Sequence, residues 1–252
     1  LVDCAFDLVV IPTLRGKVPT LTAWLKRGDL LKERDRLVCY DAEDNARNTR
    51  PLFAEILGSD PVHYFKRELP PGDTWATPLP FGYPAERIRT LESQERLAQV
   101  AYAVEIWPWA VGGLRERLGE MIKREFGNRA RVNLSQGGMR RLSVAQYHAV
   151  NRSCSVAVSP AGAGYHTNRH LEIIADGCAP VLELPWMQWP DAPADGEAAM
   201  YFRNEEDALE AVRVLLGDPA RAHEMAKAAQ RCLLAHHTPR RRAEEIVDVV
   251  GR

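Results

Sequence analysis

No apolar run in the sequence approaches the ~20 residues that a membrane-spanning helix requires; stretches such as Phe6-Asp7-Leu8-Val9-Val10-Ile11 stop far short of it. Closely spaced cysteines are also missing. Cys4, Cys39, Cys154, Cys178 and Cys232 are odd in number and scattered, which argues against a disulfide framework or a cysteine-ligated zinc site and fits a reducing, cytoplasmic compartment. Neither sign of charge dominates: 33 Lys+Arg stand against 34 Asp+Glu, a net charge of -1. That balance counts against a protein whose main work is gripping bare phosphate backbone, although a local basic patch and a nucleic-acid partner stay open. With 17 Gly, 17 Pro and 46% hydrophobic residues, collagen-like and low-complexity disordered chains are excluded. No basic segment leads into a long apolar core at the start, so a secretory leader is not expected. What is left is an ordinary globular composition with room for two small cores, read as domains over 1–95 and 96–252.

Short apolar runs alternate with amphipathic stretches. Asp7 to Pro12 reads as a buried strand, Thr20 to Lys32 as a helix, Arg36 to Tyr40 as a second strand and Val62 to Arg67 as a third, with a helix at Pro51–Leu57 between the last two. The second strand runs into the acidic loop Asp41-Ala42-Glu43-Asp44, and the third ends in Lys66 and Arg67. From Leu69 to Pro84 the prolines and glycines break regular structure and mark the junction. Beyond it the rhythm is β-α-β. Strands are expected at 99–106, 130–134, 154–158, 179–184 and 200–202, separated by helices, with three helices closing the chain at 205–216, 219–236 and 239–249. Strands and helices of those lengths imply parallel sheets with right-handed crossovers.

The segment from Ser159 to Val181 carries the chemistry: strand, glycine loop, helix, glycine stop, strand. Gly162 and Gly164 let backbone approach a ligand closely, and a helix starting near Thr167 aims free N–H groups and a positive dipole end at the loop. A diphosphate suits that place. Arg169 can fork onto phosphate oxygens, and Glu172, one turn on, can accept both hydroxyls of a ribose. The same glycines also serve plain turn geometry, and Gly177 reads as the left-handed stop of the helix.

Arg169, Leu171-Glu172 and Ala175-x-Gly177-Cys178-Ala179-Pro180-Val181 resemble the donor-binding signature of GT-B glycosyltransferases with a family 1/4-type C-terminal domain, in particular the CgeB-like and exostosin-like branches. The likeness continues through Glu205-Glu206-Asp207-Ala208-Leu209, Leu215-Leu216-Gly217-Asp218-Pro219 and His237-Thr238-Pro239 to Ala243-Glu244-Glu245-Ile246. In the first half, Tyr40 to Asp44, Tyr64 to Glu68 and Pro78 to Gly82 are similar to the CgeB-like acceptor side. The resemblance implies two Rossmann-like α/β domains facing a cleft, the first one shortened, with helices ending the chain. It implies transfer of a hexosyl group from a nucleoside-diphosphate sugar, a UDP-sugar before others, to a hydroxyl acceptor such as a saccharide, metabolite, polymer or modified nucleobase, with no obligatory metal. By position, Glu172 would hold the ribose; Gly164, Tyr165, His166, Thr167, Asn168 and Arg169 the diphosphate and sugar; and Arg115 would add charge. Tyr165 stands seven residues before Glu172, where many retaining members carry a second glutamate, so the sugar contacts are left open.

Inverting transfer needs a group to take the acceptor proton. Asp44 and Glu43 are the first candidates and His63 the next, although acidic residues after a strand also serve as turn formers or caps. Lys66 and Arg67 either steer anionic substrate or form a solvated strand end. Trp107, Trp109, Trp186 and Trp189 follow strands and either stack on ligand rings or pack a hinge. Arg240 to Arg242 read as an exposed helix face, and His236-His237 lacks a third metal ligand. Two other functions fit parts of the pattern. One is a nucleotide-binding module without turnover; the other is a metal-dependent GT-A transferase holding its ion with Asp41-x-Glu43.

Overall fold

The computed structural model describes residues 9–12, 37–44, 46–89, 91, 97–106, 113–139 and 141–251. The helix expected at Thr20–Lys32, and Trp107 and Trp109, lie outside the described residues. The first sheet runs β1 (Val9–Pro12), β2 (Leu37–Asp41), β3 (His63–Lys66) and β4 (Thr77–Pro78), in that spatial order and parallel throughout. Helix α1 (Arg50–Leu57) lays Phe53 and Leu57 against Leu37, Cys39 and Tyr64. Strand β4 falls in the proline-rich segment where no regular element was expected. It is two residues long and sits at the sheet edge, where a proline removes no ladder hydrogen bond.

The second sheet contains β5 (Leu97–Ile106), β6 (Ala130–Gln136), β7 (Cys154–Ser159), β8 (Ala179–Glu183) and β9 (Met200–Phe202), in the order β6-β5-β7-β8-β9 and parallel. Helices α2 (Leu114–Phe126), α3 (Val144–Ser153), α4 (Asn168–Ala175), α5 (Glu205–Gly217) and α6 (Pro219–His236) cover it. Its inner strands β5, β7 and β8 are apolar on both faces, as a doubly covered parallel sheet demands. Val100, Tyr102, Val104, Val156, Val158 and Val181 face Leu118 and Ile122 of α2 and Val212 and Leu215 of α5. The intervening Ala101, Ala157 and Leu182 face Leu171 and Ile174 of α4 and Leu233 of α6. Strand order reverses between β5 and β7, and the crevice at the carboxyl ends of two such strands is where this class of sheet takes its ligands.

The last helix, α7 (Pro239–Val250), returns to the first sheet, with Ile246, Val249 and Val250 on Val38, Phe65 and Leu79. The backbone closes around it where Tyr83 N–H donates to His237 C=O at 2.8 Å. Arg240 and Arg241 pair with Glu244 on the outer face as expected, but Arg242 is buried, bonding Glu245 and the His237 ring. No helix among the described residues is long and apolar enough to cross a membrane. Cys39, Cys154 and Cys178 are buried as free thiols.

Candidate functional site

The chain leaves β7 at Ser159, turns through 160–167 and enters α4, whose N-cap is Thr167 with its hydroxyl accepting from Arg169 N–H at 3.3 Å. Helix α4 ends where Gly177 takes φ +82°, the left-handed stop expected of it. Arg169 reaches back over the strand end, donating from Nε to Ser159 Oγ at 3.0 Å and from Nη2 to Pro160 C=O at 2.8 Å. His170 reinforces the turn from beneath, with Nδ1 2.8 Å from Ser159 Oγ and Nε2 3.1 Å from Tyr165 C=O.

Arg115, in the first turn of α2, spans the crevice. It donates to Ala161 C=O at 2.9 Å through Nε and to Glu105 C=O at 2.8 Å through Nη1, tying the ends of β7 and β5 together. Burial first, and then the Arg169 guanidinium, push it down to about 10. Two cations thus share the carboxyl edge of the sheet, and their hydrogen bonds go to carbonyl and hydroxyl oxygens, leaving their charge for an anion to complement.

Beside them opens a cavity of about 270 Å³ whose wall includes Arg169, Glu172, Tyr147 and His148 from the helices and Asn133 and Ser135 from β6. Sites for drug-sized ligands run to about 300–1,000 Å³, so this one has room for part of such a ligand. Burial pushes the Glu172 carboxyl up, against the opposing pull of His148, Tyr147 and Arg169. The buried Tyr147 hydroxyl closes no well-formed hydrogen bond, although it is near enough to Glu172 to act on its charge. His148 is oriented by Asp176, which accepts from Nδ1 at 2.6 Å and also from Asn151 at 3.1 Å and Arg152 at 2.8 Å. Sequence reasoning missed Tyr147, His148, Asn133 and Ser135, because nothing in an outwardly polar helix and a polar strand end marks them as cavity wall.

Of the residues expected to hold donor, Arg169, Glu172, Arg115 and Thr167 gather at this edge. Asn168 is exposed at the first position of α4. The backbone of Gly164, Tyr165 and His166 meets the other half of the molecule, at Glu68 and Asp44, while the two side chains turn into their own half. Tyr165 is wholly buried, its hydroxyl donating to Glu183 C=O at 3.0 Å, and His166 lies 3.0 Å from Gln188 C=O, burial holding its ring down to about 4. Trp189 is packed, stacked on His170 at 5.9 Å, whereas Trp186 is 43% exposed.

On the first sheet, Glu43 and Asp44 stand in the loop after β2, at the carboxyl edge, and Asp44 forms an ion pair with the buried Arg67. His63 opens β3, at the opposite end of the strand from that edge. Lys66 is fully buried 2.9 Å from Asp41 Oδ2, so its ammonium serves that pair and is not a solvated strand end. Thr49 and Tyr64 also bond Asp41, and although burial pushes this carboxyl up, the hydrogen bonds from Thr49 and Lys66 hold it below its ordinary value.

A family model described as glycosyl transferase-like matches residues 111–248, more than half of the chain. No curated protein matches it. Solved structures match over both sheets. Sucrose-phosphate synthase from Thermosynechococcus elongatus superposes with a TM-score of 0.56 at 14% identity over 97% of this chain and 73% of that one. An α-glucosyltransferase in complex with UDP-glucose and DNA containing an abasic site gives 0.60 at 10% identity, over 98% and 80%. Anabaena HepE in complex with UDP and glucose gives 0.60 at 8% identity, over 98% and 78%. At such identities the likeness is one of fold.

Proposed function

The chain belongs to the glycosyl transferase-like family and has the GT-B architecture, and from that premise we propose that it transfers a hexosyl group from a nucleoside-diphosphate donor to a hydroxyl acceptor. The observation that carries this reading is the pairing of Arg169 and Glu172, one helical turn apart, on the wall of a cavity at the switch point of the second sheet. Glu172 accepts the ribose hydroxyls. Arg169 and Arg115, with the first turn of α4, complement the diphosphate and stabilise it as it departs, since both guanidiniums are held in place before the charge develops. Thr167 and Asn168 stand at the same helix start. A UDP-sugar is the donor we favour, bound without an obligatory metal, and we place the donor half of the chain at about residues 96–252, with the acceptor half before it. We read the motifs as those of the CgeB-like and exostosin-like branches.

The acceptor enters from the first sheet. Asp44 is the proposed base, with Glu43 beside it; the ion pair to Arg67 orients Asp44 on the side of the cleft that meets the donor loop. His63 lies too far along β3 to share that work. Arg67 steers through this pair, whereas Lys66 supports the loop from below. A metal-dependent GT-A reading fails on architecture, and Asp41 of its Asp-x-Glu pair is buried against Lys66.

Calorimetric titration with UDP, GDP and their sugar conjugates, with and without EDTA, tests the proposal. Micromolar binding of one nucleotide, unaffected by EDTA and lost in Arg169→Ala and Glu172→Ala, is expected. A folded protein that binds none of them overturns it. A binding module without turnover is told apart by Asp44→Asn and Glu43→Gln, which leave nucleotide affinity intact and abolish transfer only if there is transfer to abolish.

A further inference from the structure

Two backbone N–H groups of the donor loop are occupied by a side chain from the other half of the molecule. Glu68, just past β3, accepts from Tyr165 N–H through Oε2 and from His166 N–H through Oε1, each at 2.9 Å, and its side chain is wholly buried. Gly164 admits it: a Cβ there would lie 2.7 Å from Glu68 Cδ and Oε1 and 3.2 Å from Asp44 Cα. Arg67 anchors the same contact, with Nη2 on Asp44, Nε 3.4 Å from Glu68 Oε1, and the guanidinium 4.3 Å over the Phe81 ring. Nearby, Gln188 joins the halves through Leu69, Pro70 and Asp73 carbonyls, all neutral contacts. The Glu68 pair is charge-assisted and bidentate, the stronger and more directional kind.

We infer that Glu68 is a positioning residue for the transfer step: by gripping the Tyr165 and His166 amides it sets the loop that leads into α4 and fixes where Asp44 stands against the donor. The inference rests on the sugar-transfer reading above. Glu68 does not line the cavity that holds Arg169 and Glu172 on its wall. It acts through the loop on one side and through Arg67 and Asp44 on the other, so its loss misplaces acceptor and donor relative to each other while leaving Arg169 and Glu172 on their helix.

The cradle needs an ionised carboxylate, because a protonated one sets its O–H against one of the two N–H donors. Burial pushes the Glu68 carboxyl up, and Arg67 with the two amides opposes this, while Asp44 adds to the rise. The other titratable groups facing it are Tyr40 from β2 and Tyr165 from the loop, both pushed up by burial, and His166, whose ring is neutral above about 4.

The test uses Glu68→Ala and Glu68→Gln in the full chain. Three quantities are read: amide exchange at Tyr165 and His166, nucleotide affinity, and kcat and KM for donor from pH 5 to 8. Exchange at both amides is expected to rise at least about tenfold in Glu68→Ala, with nucleotide affinity within about threefold of the parent and kcat down at least about tenfold, since small misplacements of reacting groups are costly. Glu68→Gln restores part of kcat and removes the acid limb of its pH profile. Gly164→Ala, which crowds the same contact from the opposite side, reproduces the kcat loss if Glu68→Ala fails to fold. Unchanged exchange, or a kcat equal to the parent's in Glu68→Ala, overturns the positioning role alone. A parent protein that binds no nucleotide and turns over no donor overturns the transfer reading, and the positioning role with it.

Discussion

Arg115 and Arg169 end on the same turn of backbone, Arg115 on Ala161 C=O at 2.9 Å and Arg169 on Pro160 C=O at 2.8 Å, although they stand on different helices. The turn after β7 is therefore clamped by two cations, one of which also holds the end of β5 at Glu105. Each guanidinium keeps its charge at the crevice where the sheet order reverses.

Arg115→Lys is expected to separate the two jobs. A lysine keeps the charge but presents a single ammonium, which cannot reach both carbonyls in the fork geometry of a guanidinium. Loss of hydrogen bonds from a charged group costs about 1.5–3 kcal/mol. Urea denaturation should show a drop of that order, with nucleotide affinity falling further than charge conservation alone would allow. Equal stability and equal affinity in Arg115→Lys would show that the clamp is not needed.

Nucleotide binding should weaken as the solution is made acidic. Burial raises the Glu172 carboxyl above its ordinary range, so the free protein takes up a proton there more readily than an exposed glutamate, and the stability this gives at low pH is lost as pH rises through the raised value. Ribose hydroxyls donate to the carboxylate and favour the ionised form, so binding releases a proton below that raised pKa. Titration in two buffers of different ionisation heat at the ordinary carboxyl value of 4.5, where the raised group is mostly protonated in the free protein, should reveal the release, absent in Glu172→Gln. Identical heats in the two buffers would contradict it.

Glycine 164 and Glu68 should behave as one unit. Overpacking by a methyl group in a tight contact costs about 1–3 kcal/mol, and the space a Gly164→Ala Cβ needs is taken by the Glu68 carboxylate. In a Glu68→Ala background the two closest contacts are gone and only Asp44 Cα, at 3.2 Å, is left to give way. A double-mutant cycle read by thermal or urea denaturation should therefore give a coupling of about 1 kcal/mol or more; strict additivity would mean the loop relaxes away from the carboxylate.

Much of this fold was legible because a parallel α/β unit writes itself twice, as apolar runs and as the turn residues that bound them. The strands of the second sheet lie within a few residues of where their apolar runs place them, and β9 at Met200–Phe202 coincides. That Arg169 and Glu172 come together was legible too, since one helical turn after a glycine loop puts them on one cavity wall. What could not be read depends on which surfaces meet. Lys66 and Arg67 read in sequence as either steering groups or a solvated strand end, yet both are buried, paired with Asp41 and Asp44, and Glu68 beside them is buried against the Tyr165 and His166 amides of the other half. The apolar side of α7 is plain in its spacing, but only the folded chain shows that it covers the first sheet and not the second.

The buried Asp41–Lys66 pair gives the sharpest stability test. Neither side chain reaches solvent, and Lys66 Nζ sits 2.9 Å from Asp41 Oδ2. Lys66→Met strands a carboxylate in the core, which costs about 3–5 kcal/mol. Combining it with Asp41→Asn should recover a good part, because Thr49 and Tyr64 already bond each other at 2.9 Å and keep an amide oxygen to donate to. The pH dependence has a defined sign. The Asp41 carboxyl is held below its ordinary value of 3.8, so its contribution to stability is complete above that value and is lost as pH falls through the lower, folded one. The double variant should therefore lose less stability than the parent between about pH 5 and pH 2, and a Lys66→Met protein as stable as the parent would show that water reaches the pair.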